Sequence, residues 1–297
     1  MEIASRSEKL LGTIIEIKLP KQHSQLFPKC FEELSRIEKT YSRFLDDSEL
    51  SKLNCKLGVW QSAPQEFIFL LLRAQKFKEK SNGNFDITLK ATLDSMGYDK
   101  NYSFKPKPVP KTGILRKLGS LLGDVRIDRA KGRVLLNKQI EFGGFGKGFA
   151  LDCVRQLLEQ NGVMHYYINA GGDIFARQGK GMEPWIIILE HPDDPEKAIG
   201  TIKLDNCSIA GSAPNRRRWG NFHHLLNAKT KKPASEVKAI FVMAKTGIEA
   251  DAYATALFGA GFAKGIALSK QLPVELLIIS SHGKMFKSAG FEAQLFA

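Results

Sequence analysis

The chain predicts an α+β fold built on antiparallel or mixed sheets with flanking helices. Short apolar segments with strand character outnumber helical ones, and most are joined by short turns. The helices do not interleave regularly with strands, as they would in a doubly wound sheet. The 297 residues compare with roughly 150 per domain. With no repeat of fixed period, residues 1–297 read as one domain.

Taken in order, LGTIIEIKL at 11–19 alternates apolar and polar residues and reads as an opening strand. Cys30, Phe31, Leu34, Ile37 and Tyr41 fall at helical spacing, which predicts a helix over 28–43. Asp47 stands where an N-cap belongs, before SELSKLN. A longer apolar helix covers 64–80, with Gly83 just past its end. FDITL and a helical stretch follow, then the Lys/Pro-rich SFKPKPVPKTG at 103–113, a loop or insertion. VRIDRAKGRVLLN is a hairpin with Gly132 in its turn. The glycine-rich EFGGFGKGFALD at 141–152 leads into a helix ending near Gly162. HYYINAGGDIFA is a strand entering a glycine turn. WIIILE, GTIKL, KAIFVMA and VELLIIS are further strands, with the helix IEADAYATALFGAG between the last two.

The composition, 43% hydrophobic and 25% charged, excludes a disordered tail, a collagen-like repeat and a disulfide miniprotein. No apolar run approaches the ~20 residues that span a bilayer. The opening residues lack the apolar core and cleavage site of a signal peptide, so a cytoplasmic protein without a membrane span is expected. Cys30, Cys55, Cys153 and Cys207 form no CxxC pair and read as buried reduced thiols. The net charge of +13 favours anionic partners. Nucleic acid is not expected among them, because no RNP-like, helix-turn-helix or zinc pattern accompanies the charge.

Chemistry concentrates in three segments. The glycines at 143, 144, 146 and 148 leave the backbone bare at a helix start, which suits phosphate, and Lys147 adds charge. Walker A spacing is absent, and close packing explains such a turn equally well. Asp251 and Thr255 share one face of an otherwise small, apolar helix. Two oxygen ligands at that spacing suit Mg²⁺. A helix start capped by Thr246 or Glu249, with Asp251 complementing the dipole, explains them as well. The third segment, 208–235, carries Arg216 to Arg218, Trp219, and the adjacent His223 and His224. In a strand the two histidines face opposite ways, so one at most enters a given site. Such a histidine is either a general base or a structural hydrogen-bonder. The arginines are either a solvated surface or a contact for an anion or acceptor protein.

SRFLDDSELSKLN at 42–54, GNFDITL at 83–89, EFGGFGKGFALD at 141–152, INAGGDI at 168–174 and EADAYATALF at 249–258 occur in that order. Together they resemble the ApbE family, the FAD:protein FMN transferases. The resemblance implies a compact α+β body with an FAD cleft between two sub-regions. It implies FAD as substrate, Mg²⁺, release of AMP, and FMN moved to a Thr or Ser hydroxyl of an acceptor flavoprotein. Residue by residue, it implies Asp251, Thr255 and Gly144 at the metal. It implies Phe44, Asp86, Thr88, Glu141 and Lys147 at FAD, with Leu11 and Leu226 at two further FAD-side positions, and His224 as the base.

The chain departs from the family in places. Leu11 replaces a usual Met, a near-isosteric change. Ile209-Ala210-Gly211 stands where TSG is usual, and HLLNAKTKKP where HxIDPxTGxP is usual, so Asn227 replaces Asp, Ala228 replaces Pro and Lys231 replaces Gly. FAD and metal binding survive that comparison better than transfer does. The alternatives to a transferase are an FAD pyrophosphatase giving FMN and AMP, and a non-catalytic FAD-binding protein.

Overall fold

The computed structural model describes residues 2–107, 123–215 and 217–296. Its frame is an eight-stranded sheet in the order Ile3–Leu10, Thr13–Pro20, Tyr166–Ala170, Asp173–Arg177, Cys207–Ser212, Val237–Ala244, Glu275–Ser280, Met285–Lys287. Every neighbouring pair is antiparallel. The expected α+β class holds, and the sheet is antiparallel rather than mixed.

Side-chain parity shows how the sheet is sandwiched. Ile15, Ile17, Ile168, Phe175, Ala210, Ile240, Val242 and Ile278 join the helices in one core. Their neighbours Ile174, Ile209, Ala239, Leu277 and Ile279 face the other way. There they meet Ile187, Leu189, Ile199 and Ile202 from a second sheet, ordered Gln294–Leu295, Ala198–Leu204, Trp185–Glu190. With both faces buried, the central strands read as continuous apolar runs instead of alternating.

The helices are α1 (Phe27–Tyr41), α2 (Glu49–Asn54), α3 (Gln65–Lys80), α4 (Lys90–Ser95), α5 (Gly146–Gln160), α6 (Gly247–Ala260) and α7 (Phe262–Ser269). The α5 and α6 backbones touch closely. A Cβ on Gly148 would lie 2.1 Å from the Gly247 carbonyl oxygen. Asp152 on α5 accepts from the Gly247 and Ile248 amides at 2.8 and 2.9 Å, capping α6 from across the contact. Thr246 adds a cap by accepting from the Glu249 amide.

Several expectations are corrected. The opening element is a hairpin, and Leu11 sits in its turn at φ 53°. Ser48, not Asp47, caps α2 by accepting from the Ser51 amide at 3.0 Å. Cys207–Ser212 is a central strand that alternation did not reveal. Cys30 is buried, with its thiol pushed up to about 12 by desolvation, but Cys55 is exposed and Cys153 and Cys207 are half-buried. All four thiols are free. Residues 103–107 of the expected loop hold no regular structure, and 108–113 lie outside the described residues. Among the described residues, no helix is long and apolar enough to cross a membrane.

Candidate functional site

A cavity of about 320 Å³ opens beside the α5–α6 contact. Asp86, Glu141, Gly144, Lys147, His224, Leu226, Asp251 and Thr255 line it, so residues far apart in the chain meet. Leu11, Phe44 and Thr88 do not. The Leu11 amide donates to Glu38 Oε1 at 2.7 Å, and Gly12 and Thr13 form the wall in its place. Phe44 stacks on Tyr102 at 4.8 Å, one ring behind Tyr98, and Tyr98 lines the wall. Thr88 stands behind Asp86, donating to its Oδ1 from both amide and hydroxyl at 2.8 Å.

Helix geometry puts Asp251 and Thr255 on the same wall. Asp251 Oδ2 accepts from the Gly148 amide at 3.0 Å, and the Thr255 hydroxyl donates to the Gly144 carbonyl at 3.3 Å. Carboxylate, hydroxyl and carbonyl are the oxygen donors that a hard cation takes. Among the described residues, no three His, Cys, Asp or Glu side chains gather as a metal cluster, so a cation here would lean on the hydroxyl and the carbonyl. Asp251 shares its surroundings with Asp173, which is 1% exposed and ion-paired with Lys147. Burial, then the Asp173 charge, pushes the Asp251 carboxyl well above the usual range. Two buried carboxylates beside one ammonium leave a deficit of positive charge. At Lys147 burial opposes the charge, but Asp173 and Asp251 outweigh it and keep the ammonium protonated.

The glycine turn does not offer the bare amides that its sequence suggests. The Gly143 amide donates to Glu141, those of Phe145 and Gly146 to the Phe142 carbonyl, and that of Gly148 to Asp251. The glycines instead permit close approach. A Cβ at Gly144 would press on Phe85 and Thr255 at 3.2 Å, and one at Gly148 would overlap Gly247. Positive charge in the cavity comes from Lys147 and Arg217.

Other carboxyls differ by their partners. Burial would raise Asp86, but Lys78 at 2.7 Å and the two Thr88 donors outweigh it and hold it below the usual range. At Glu141 burial outweighs the Arg43 charge and the Gly143 amide and holds the carboxyl high.

The two histidines take different places, although only His223 belongs to a strand (Phe222–His223) and His224 lies in the bend after it. His223 is buried and structural: Nε2 donates to the Ala234 carbonyl at 3.0 Å, and Nδ1 accepts from the Leu225 amide at 3.2 Å. His224 lines the cavity 6.0 Å from the Tyr98 ring. Its ring bonds the Arg217 backbone, while its enclosed Nδ1 has no partner. Burial, then the Arg217 charge, pushes it down to about 3, so the ring is neutral at physiological pH. His223→Ala is therefore expected to cost stability, about 2–4 kcal/mol, from about 1–3 kcal/mol for each buried group stranded. Flavin binding by the folded fraction should change little. Thermal melting against a flavin titration separates the two effects.

One lining residue, Tyr98, escaped sequence reasoning, as did Asp173 behind Lys147. Tyr98 stacks on Trp219 at 5.7 Å and accepts from Arg217 at 2.7 Å. Of the arginine run, which the sequence left open between a solvated surface and an anion or acceptor contact, Arg217 lines the cavity, Arg218 is exposed, and Arg216 lies outside the described residues. Asp173, which holds Lys147 beneath the cavity, closes the NAGGD turn, and that motif was its only signal.

Fold and cavity define an α+β protein with a deep charged cleft beside a tight helix pair. The profile of the ApbE family matches residues 11–278. The FAD:protein FMN transferase of Haemophilus influenzae is 28% identical over 97% of this chain and 90% of its own length. That of Treponema pallidum is 27% identical over 96% and 87%. The crystal structure of the ApbE protein of Thermotoga maritima superposes with a TM-score of 0.87 at 26% identity, covering 98% of each chain. The flavin transferase ApbE of Vibrio cholerae gives 0.83 at 22% identity, again over 98% of each, and supports the fold. The chain belongs to the ApbE family.

Proposed function

We propose that this chain is a Mg²⁺-dependent FAD:protein FMN transferase. FAD is cleaved, FMN passes to a Thr or Ser hydroxyl of an acceptor protein, and AMP is released. The names of the relatives support flavin transfer. The observation that carries the finer reading is the convergence of two kinds of group on one cavity: the oxygens of Asp251, Thr255 and Gly144, and a neutral imidazole whose buried Nδ1 has no hydrogen-bond partner.

In the proposed reaction the acceptor oxygen bonds to the phosphorus of the FMN half. The bond from that phosphorus to the bridging oxygen breaks, and AMP leaves with the electron pair. His224 Nδ1 takes the hydroxyl proton. Lys147 and Arg217 offset negative charge on the pyrophosphate. Asp251, Thr255 and Gly144 would hold Mg²⁺, which would supply Lewis-acid stabilisation of the phosphoryl oxygens. Tyr98 and Leu226 present ring and apolar surface to the bound nucleotide.

The test is to incubate the protein with FAD, Mg²⁺ and a Thr-containing acceptor, then measure AMP, free FMN and acceptor mass. AMP with a heavier acceptor supports transfer. AMP with free FMN alone indicates a pyrophosphatase, and neither product indicates a binder. FAD is also expected to bind more tightly than FMN, because both halves meet charged walls. Equal affinities in a fluorescence titration would show that the adenylate half is not read.

A further inference from the structure

A second hollow, a groove of about 660 Å³ with both apolar and polar walls, runs between the eight-stranded sheet and the Trp185–Glu190 strand. All six residues of that strand line it, from both faces, so the groove follows the strand's edge. The strand ends its sheet, and among the described residues none pairs with its outer side. Edge strands are commonly guarded by Lys or Pro. WIIILE carries neither, and Ile186 and Ile188 are 60% and 69% exposed. Ile14, across the groove, is 57% exposed. The groove is continuous with the reaction cavity, for Thr13, Gly171, Gly211, Ser212 and Ala213 line both.

We infer that this groove seats the acceptor protein, as an extended segment added to the outer edge of the sheet that ends in Trp185–Glu190. The inference rests on the transferase reading above, which requires a protein hydroxyl to reach the cavity. A folded surface does not enter a narrow groove, whereas a strand does. Its main-chain groups bond to that edge and its alternate side chains give selectivity. Six residues at about 3.3 Å each span ~20 Å, enough to lead a chain along the groove. The occupant has apolar side chains at alternate positions facing Ile186 and Ile188. Its Thr or Ser is carried past Gly211, Ser212 and Ala213 to the cavity.

The test uses the full chain, FAD, Mg²⁺ and a pool of short peptides with one fixed Thr and randomised flanks. FMN-labelled peptides are isolated by flavin fluorescence and sequenced. The wild-type protein is expected to label peptides enriched in apolar residues at alternate positions on one side of the Thr. Ile186→Lys with Ile188→Lys should reduce labelling of those peptides roughly tenfold or more, since burying each Ile contributes ~1.5–3 kcal/mol. The double variant should instead enrich Asp and Glu at the same positions, while FAD binding stays unchanged. Labelling without positional preference, or an unchanged selection by the double variant, overturns the docking inference alone. No labelled peptide with wild-type protein that binds FAD overturns it together with the transferase reading.

Discussion

Asp251→Asn is expected to remove Mg²⁺-dependent turnover while leaving the fold in place. The amide oxygen can still accept from the Gly148 amide, now 3.0 Å from Asp251 Oδ2. What disappears is the only formal negative charge among the three proposed cation ligands. Lewis-acid stabilisation is worth several kcal/mol, and each ~1.4 kcal/mol is tenfold in rate, so a loss of roughly 10²–10³-fold at limiting Mg²⁺ follows. Thr255→Ala, which removes a neutral ligand, should lose less. A second readout needs no turnover. The folded Asp251 carboxyl titrates above its unfolded value, because burial and Asp173 disfavour its charge. In that window the folded state holds more protons than the unfolded one, so without a cation stability falls as pH rises through it. A bound cation offsets this, so Mg²⁺ should raise the melting temperature more at higher pH. In Asp251→Asn both the rise and its pH dependence should vanish. Wild-type activity at limiting Mg²⁺, with an unchanged melting response, would show that the cation is held elsewhere.

What the sequence revealed divides along physical lines. Asp251 and Thr255 were legible because helical periodicity alone puts them on one face. His223 and His224 were separated on the expectation of a strand, but the strand ends at His223 and His224 lies in a bend. The Lys147–Asp173 pair was not legible: its members are distant in sequence, and only the packing of α5 on the sheet joins them. Cys207–Ser212 was missed because a strand buried on both faces shows no alternation. The glycine turn read as an amide cradle, since sequence shows which amides are unencumbered but not which carbonyl or carboxylate has taken them. Phe44 and Tyr98 share one aromatic cluster, and which ring faces the cavity is settled by Arg43. It lies over both rings and bonds the Tyr98 carbonyl, fixing the segment. Asn227 replaces the family's Asp and is fully used: it donates to the Gly259 carbonyl at 2.8 Å and accepts from the Lys229 and Thr230 amides. An Asp would lose the bond to Gly259, so in this chain the departure locks the turn after His224 onto α6.

His224→Ala is expected to lower turnover roughly 10²–10⁴-fold, the usual contribution of a positioned acid–base group. Flavin affinity should change little, because a neutral ring offers no charge to the nucleotide. The wild-type pH profile gives an independent check. With the ring pushed down to about 3, activity should show no imidazole limb near the ordinary value of about 6.5. The same shift has a stability signature. Between about 6.5 and about 3 the unfolded chain binds a proton that the folded ring refuses, so stability falls as pH falls through that window. His224→Gln removes the titration and should flatten the acid side of the melting-temperature curve. A low-pKa base is a weak base, so at physiological pH the ring contributes mainly through position and through transient stabilisation of its charged form. Such charge is disfavoured by burial first and then by Arg217, His223 and Lys147, and favoured by the bond to the Arg217 backbone. Arg217→Gln should therefore raise the ring's pKa, while burial, the larger cause, still holds it below the ordinary value. A His224→Ala protein with near-normal turnover would exclude the imidazole as base. A limb near 6.5 that persists in that variant would belong to another group.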